Sequence, residues 1–541
     1  MAERLLISLG WVVALMCVAP MMAAGVAALG GDLSTWGGLM ETVLPRYAGN
    51  TLALVVLVAL GTACIGTGAA WFVTMYDFPY RRMLEVLLAL PLAFPAYVLA
   101  YAYTDLLDHP GAVQTLLREV TGWGPRDYWF PEIRSLPGAA LMLVMVLYPY
   151  VYLLARAAFR QQAASAYLAA RTLGQGPWRA FLRVCLPMAR PAIAGGVLLT
   201  VMETIADYGT VAHFSVQTFS TGIYQAWFSM ADRAAAAQLA LCLLTFALLI
   251  AMLERAQRGR ARVAMKGGRL AGMERVRLGG AQAWAVSLAC AVPVAIGFVI
   301  PVIVLGEMAI DSGQSLLNRR YLGFMANSLT LASVAAVVTV AGAVLIGYRA
   351  RLLPGRTSRA LVLAAGLGYA VPGGVIAGGL MVPFASRDNA LDAWMRETFG
   401  VRTGLLITGS IWLMVIAYMG RFMAAALNTY DAGMAGVQPT MDAVARTLGR
   451  STPRILWGVH LPIVRGSVLT ALLIVFVDVM KELPATLILR PFNYDTLAVQ
   501  AYRLASDERL DQAAVPSLVI VAFGLLPVIL LCRRLGRAEP G

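Results

Sequence analysis

The sequence predicts an all-α polytopic membrane protein of about twelve transmembrane helices, in two six-helix halves related by pseudo-two-fold symmetry. Three observations predict it: long apolar runs, basic residues gathered on one side of those runs, and one polar loop present twice.

The chain of 541 residues is 60% hydrophobic and 13% charged, with mean hydropathy +0.72. Soluble domains hold roughly 45–50% apolar and about 25% charged residues. The excess lies in blocks such as 51–73, 136–154, 239–253, 281–305 and 513–531. At about 1.5 Å per residue these reach across, or nearly across, a hydrocarbon core of about 30 Å. Breaking the chain at its charged and Pro/Gly-rich loops gives six crossings before residue 254 and six after 281.

The net charge of +14 is topological. With the N-terminus inside, the inner segments 1–7, 74–83, 155–190, 254–280, 347–359, 421–465 and 532–541 hold 29 of the 43 Lys and Arg. Asp105, Asp108, Glu119, Asp127, Glu132, Asp388, Asp392, Glu397, Asp507 and Glu508 fall outside. This positive-inside pattern orients the helices, places both termini in the cytoplasm and argues against nucleic-acid binding.

Arg4, the apolar run to Cys17 and the small residues Ala23-Ala24-Gly25 also fit a cleaved signal peptide. The repeat favours a retained first helix, because 284–305 holds the matching place in the second half. Six cysteines (17, 64, 185, 242, 290, 532) without a CxxC, and three scattered histidines (109, 213, 460), predict neither disulfides nor a metal centre.

Residues 254–281 form a basic, Gly-rich stretch that reads as a flexible cytoplasmic linker between halves 1–253 and 282–541. Asn50-Thr51-Leu52 matches Asn327-Ser328-Leu329, and Pro95 matches Pro372. Six crossings per half give both halves one orientation, related by an axis along the membrane normal.

The duplicated loop carries the function. Ala170-Arg171-Thr172-Leu173-Gly174 with Leu186-Pro187 returns as Ala445-Arg446-Thr447-Leu448-Gly449 with Leu461-Pro462, and 170–190 shares ten identities with 445–465. Helix formers over 163–173 stop at Gly174, a left-handed helix end. Pro177 then suits the first position of a helix expected to end at Pro187. In the second copy Gly449 follows Leu448, with Thr452 as N-cap and Pro453 as the first helical residue. Each copy predicts a helix–turn–helix knob on the inner face, suited to a groove on a partner. Lys266 and Lys481 are the only lysines and neither precedes Ser or Thr, so the chain has no phosphate-cradling GxxxxGK[ST] loop.

This spacing resembles the EAA loop of ABC importer permeases. The three-residue motifs are Leu168-Ala169-Ala170 and Ala443-Val444-Ala445, followed by Gly174 with Leu186-Pro187 and by Gly449 with Leu461-Pro462. Leu168 and Ala443 stand where the usual acidic residue would be. The resemblance implies a type I ABC importer permease whose Ala169, Ala170, Arg171, Gly174, Leu186, Pro187 and Val444, Ala445, Arg446, Gly449, Leu461, Pro462 couple to a cytoplasmic ABC ATPase dimer. ATP would be used by that partner, and this chain would hold no cofactor.

A helix bearing acids follows each loop. Glu203, about 18 Å along a helix from Pro191 and so near mid-bilayer, precedes Asp207 and Tyr208. Asp478, Lys481 and Glu482 take the corresponding places, with Asp478 aligned to Glu203 and Glu482 to Asp207. Charges at that depth need partners or water. They are candidates for a translocation path or gate, or for fasteners between the halves, and Asp478 with Lys481 is spaced to neutralise itself.

Within the permeases, Glu203-Thr204-Ile205-Ala206-Asp207-Tyr208-Gly209-Thr210 and Thr221-Gly222-Ile223-Tyr224-Gln225-Ala226-Trp227 resemble the first half of fused ferric-iron permeases. Lys481-Glu482-Leu483-Pro484-Ala485-Thr486, Leu489-Arg490-Pro491-Phe492 and Asp495-Thr496-Leu497-Ala498 resemble the second. The resemblance implies a bacterial inner-membrane importer of ferric iron fed by a periplasmic iron-binding protein. Thiamine, polyamine and phosphonate permeases are similar in build. An ion-coupled secondary transporter also has a parallel repeat, but not this duplicated loop. A membrane enzyme would need a nucleophile or metal constellation that the spans lack.

Overall fold

A computed structural model describes residues 2–29, 33–160, 164–259, 275–314, 318–434 and 437–537. These residues are helical almost throughout. Among them, eight helices are long and apolar enough to cross a membrane, or ten if each of two bent pairs is one span. The expected twelve is therefore not reached by length and composition. The apolar part of Arg233–Gly259 is confined to Ala234–Ile250, and Trp412–Met434 carries Arg421 and Asn428.

The two bent pairs share one cause. The chain turns by 95° between Arg81–Ala93 and Ala96–Thr121, and by 104° between Arg356–Tyr369 and Gly373–Phe399. Pro95 and Pro372, the matched prolines of the repeat, cap the second member of each pair in extended geometry. Phe94 and Val371 before them are extended too, because proline's ring excludes the helical conformation from the preceding residue.

The chain packs into two compact units that cut across the sequence halves. One holds Met1–Pro45, Phe219–Thr245 and Ser315–Gln500; the other holds Arg46–Thr218, Phe246–Gln314 and Ala501–Gly541. In the first unit, Ala2–Leu29 lies along Arg319–Leu352 and Gly373–Phe399. Its approach is so close that a Cβ on Gly379 would sit 2.1 Å from the Pro20 carbonyl oxygen. Arg319–Leu352, Trp412–Met434 and Leu461–Met480 form the centre of this unit. In the second unit, Leu136–Ala158 packs on Leu186–Ala206, and Ile300–Asp311 on Leu510–Arg537. Each unit thus takes its outer helices from the opposite half of the sequence.

The linker is more ordered at its ends than its composition predicts. Arg233–Gly259 stays helical past residue 254, where Glu254, Arg255, Ala256, Gln257 and Arg258 are all good helix formers. At the other end Val276–Arg277 pairs in parallel with Tyr76–Asp77. Residues 260–274 lie outside the described residues.

Candidate coupling loops and membrane acids

Both copies of the loop have the same backbone design. Helices Ala164–Thr172 and Pro439–Thr447 end at Gly174 and Gly449, whose φ values are 82° and 73°. Gln175 N–H reaches the Ala170 carbonyl at 3.0 Å and Gly174 N–H the Arg171 carbonyl at 3.1 Å. Arg450 reaches Ala445 at 3.0 Å and Gly449 reaches Arg446 at 2.9 Å. This pair of bonds is the Schellman motif, which satisfies the last carbonyls of a helix and requires a left-handed residue.

The second helix of each loop does not stop at its Leu-Pro, contrary to the expectation at Pro187. Helix Pro177–Ala180 passes through a wide π-turn, Phe181–Cys185, into Leu186–Ala206. In the second copy Thr452–Ile455, with Ser451 rather than Thr452 as its N-cap, passes through Leu456–His460 into Leu461–Met480. A proline lacks an N–H and crowds the carbonyl four residues back. A π-turn just before it removes both conflicts, since the regular bond is already interrupted. The same device recurs at Ala295–Val299, just before Pro301.

Each loop keeps its small residue inside. Ala170 and Ala445 are buried, whereas Ala169, Arg171, Gly174, Pro187, Val444, Arg446, Gly449 and Pro462 are exposed and Leu186 and Leu461 half-buried. Leu173 and Leu448, at matching positions, stand 82% and 74% exposed, and Leu182 and Trp457 form a second exposed matching pair.

The anchors beneath the two loops differ in chemistry. Under the first, Trp71 packs against Phe181, Phe159 and Tyr167 at ring distances of 4.4, 5.4 and 5.7 Å. Under the second, Tyr348 holds the place of Trp71, Asp442 that of Tyr167, and His460 that of Cys185. Arg351 Nε donates to Asp442 at 2.8 Å, His460 Nε2 pairs with the other carboxylate oxygen, and Tyr348 Oη donates to the Thr452 carbonyl at 3.1 Å. Burial pushes the Asp442 carboxyl up, but the hydrogen bonds and charges of Arg351 and His460 outweigh it and hold the group below the usual carboxylate range.

The membrane acids are used locally. Asp207 accepts from Thr210 N–H, Thr210 Oγ1 and Val211 N–H at 3.1, 3.0 and 3.2 Å, at the start of helix Gly209–His213. Glu482 accepts from Ala485 N–H, Thr486 N–H and Thr486 Oγ1 at 3.0, 3.2 and 3.0 Å, at the start of Pro484–Leu489. Asp478 and Lys481 form an ion pair at 3.0 Å. Glu203 is half-buried. Glu203, Asp207 and Tyr208 fall in one compact unit and Asp478, Lys481 and Glu482 in the other.

Sequence reasoning missed several polar contacts of aromatic and cationic side chains in and beside these segments. Tyr208 Oη lies 2.8 Å from Tyr502 Oη. Tyr418 Oη lies 2.6 Å from Thr486 Oγ1, and buried Arg421 shares a tight space with Glu482 beside Gly373. Glu85 holds Arg81 at 3.0 Å and also pairs with Arg156, both arginines being buried. Among the described residues, no three of His, Cys, Asp and Glu come together as a metal site.

Beyond the membrane segments, Arg134 grips Glu508 with both terminal nitrogens at 2.8 Å and Asp108 through Nε at 3.0 Å. The Arg134 hydrogen bond lowers the Glu508 carboxyl below its ordinary range.

Comparison with known proteins agrees with this build. Residues 62–263 match the family described as the binding-protein-dependent transport system inner membrane component. The chain is 26% identical over 496 residues to the Fe(3+)-transport system permease protein FbpB 2 of Haemophilus influenzae, covering 90% of each chain. It is 26% identical over 567 residues to a probable ABC transporter permease of Sinorhizobium fredii, covering 98% of this chain and 95% of that one. Against the ferric transport system permease protein FbpB of Actinobacillus pleuropneumoniae it is 22% identical over 519 residues, covering 91% and 70%. With a transport-component match over 62–263 and permease likeness along nearly its whole length, the chain is similar to the inner-membrane permeases of ABC transporters.

Proposed function

We propose that the chain is the translocation subunit of a ferric-iron importer in a bacterial inner membrane, with both termini cytoplasmic. The observation that carries the coupling part is the pair of Schellman-capped loops with matching exposed leucines, Leu173 and Leu448. Exposed apolar side chains on a rigid helix–turn–helix suit insertion into a hydrophobic groove. The two loops dock on a cytoplasmic ABC ATPase dimer, which uses the ATP, and this chain holds no cofactor of its own. A periplasmic ferric-iron-binding protein delivers substrate to the opposite face. The iron assignment is supported by likeness to two ferric permeases over about nine-tenths of this chain.

The test is reconstitution of the chain with its ATPase and binding protein in liposomes. Iron uptake that needs ATP and is lost in the double variant Leu173→Asp/Leu448→Asp is the expected result. Uptake by this chain alone under a proton gradient overturns the reading in favour of an ion-coupled transporter.

A further inference from the structure

Arg421, within helix Trp412–Met434, is only 8% exposed, and its Nη1 makes no hydrogen bond among the described residues. A guanidinium taken out of water needs an acceptor, and at membrane depth the need is sharper. The Phe422 ring, 5.7 Å from its Cζ, offers a cation–π contact but no acceptor oxygen. Offsets of 275 to 277 relate the two halves, and they set Val144-Met145-Val146 opposite Arg421. The first half thus builds the same helix without a charge, so the fold itself does not require one.

Glu482 borders the same point in the same compact unit. A Cβ on Gly373 would lie 2.9 Å from Arg421 Nη1 and 2.6 Å from Glu482 Oε1, so both heads crowd the first residue of helix Gly373–Phe399. They are close, yet Nη1 does not bond to the carboxylate. Glu482 accepts three bonds from Ala485 and Thr486, and a carboxylate has about four lone-pair positions, so it can take one more donor. Capping does not explain the arginine. Asp207 also makes three cap bonds, and the stretch matching Arg421 in its half is apolar.

We infer that Arg421 and Glu482 are a latent ion pair, parted in the conformation described here and closed in another conformation of the transport cycle. This rests on the importer reading above, because coupled transport needs at least two conformations. The helices that carry the pair frame the second coupling loop. Arg421 lies on Trp412–Met434, which leads toward loop helix Pro439–Thr447, and Glu482 follows Leu461–Met480, which leaves the loop. A push on the loop therefore reaches both groups along helices. A helix shift of about 1–2 Å decides whether they bond. Gly373 permits the closure because it puts no side chain between them. Arg421 is thus a positioning residue of the second half alone.

The experiment is a double-mutant cycle on the full complex in nanodiscs, with Arg421→Met and Glu482→Gln singly and together. ATP hydrolysis stimulated by the iron-loaded binding protein is read beside the thermal midpoint of the resting complex. Each single variant is expected to lower stimulated hydrolysis by on the order of tenfold, and the double variant no further than either single. Arg421→Met is expected to leave the resting midpoint unchanged or raised, since it removes a charge that has no bond at rest. Losses that multiply in the double variant, or wild-type hydrolysis in Arg421→Met, mean that the charges never join and overturn the pair. A lowered resting midpoint in Arg421→Met means that they are already joined at rest and overturns it too. Should Arg421→Met not fold, Arg421→Lys and Glu482→Asp complete the same cycle. A wild-type complex that hydrolyses ATP but moves no substrate overturns the importer reading instead, and basal hydrolysis then tests the pair by the same cycle.

Discussion

Asp207 and Glu482 hold matching positions in the two halves, and each directs its carboxylate at the first amides of the short helix that follows it. The acid at the end of each long helix is therefore a backbone cap. Capping depends on an acceptor oxygen more than on charge, and Asn caps about as well as Asp. Asp207→Asn is expected to keep near-native stability and transport, whereas Asp207→Ala loses about 1 kcal/mol in thermal unfolding of the detergent-solubilised protein. Loss of transport in Asp207→Asn with stability intact would mean that the charge itself is needed.

Gly174 and Gly449 adopt left-handed backbone in both loops. An L-residue with a Cβ pays roughly 1–2 kcal/mol there. Gly174→Ala and Gly449→Ala are each expected to weaken stimulation of the partner ATPase, and Gly174→Asn, which tolerates this conformation, to weaken it less. Substrate-stimulated ATP hydrolysis in the reconstituted complex measures this.

Asp442 ties the second loop to Arg351 and His460. Its folded pKa lies below the ordinary value of 3.8, so its contribution is fully present above pH 3.8 and fades only as pH falls through the lowered value. Asp442→Asn is expected to destabilise the protein by about 1–2 kcal/mol at pH 7, with the difference narrowing in acid below that range. Chemical unfolding at pH 7 and pH 3 compares the two. The first loop, anchored on Trp71 and its aromatic neighbours, gives Tyr167→Phe no such pH dependence.

Gly373 leaves room beside Glu482 and Arg421. A Cβ there would lie 2.6 Å from Glu482 Oε1, 2.9 Å from Arg421 Nη1 and 3.1 Å from the Ala485 amide nitrogen. Gly373→Ala is expected to cost about 1–3 kcal/mol through overpacking. Gly25→Ala, with nothing within 4 Å, is expected to be near neutral. Thermal midpoints in detergent compare the two.

The sequence made the loops legible because their signals are local: Gly174 and Gly449 mark a left-handed stop, and the helix formers before them need no tertiary context. Pro187 misled for the opposite reason. A proline breaks a regular helix, but Phe181–Cys185 and Leu456–His460 widen first, and π-turns leave no clear mark in composition. The acids were found by depth and alignment, yet their roles depend on amides three and four residues away, set by where the helix ends. Tyr502 lies 294 residues from Tyr208, and only the fold joins them.

The exchange of outer helices has a consequence for how this polypeptide is made. Cutting it within 260–274 would release two products, each carrying helices whose neighbours are encoded on the other. The N-terminal product would insert Ala2–Leu29 without Arg319–Leu352 to lie against, and the C-terminal product would insert Leu510–Arg537 without Ala96–Leu107. Fusion supplies both sets at a fixed one-to-one ratio and at high effective concentration. During synthesis the earliest helix must wait in the bilayer until several hundred later residues have emerged.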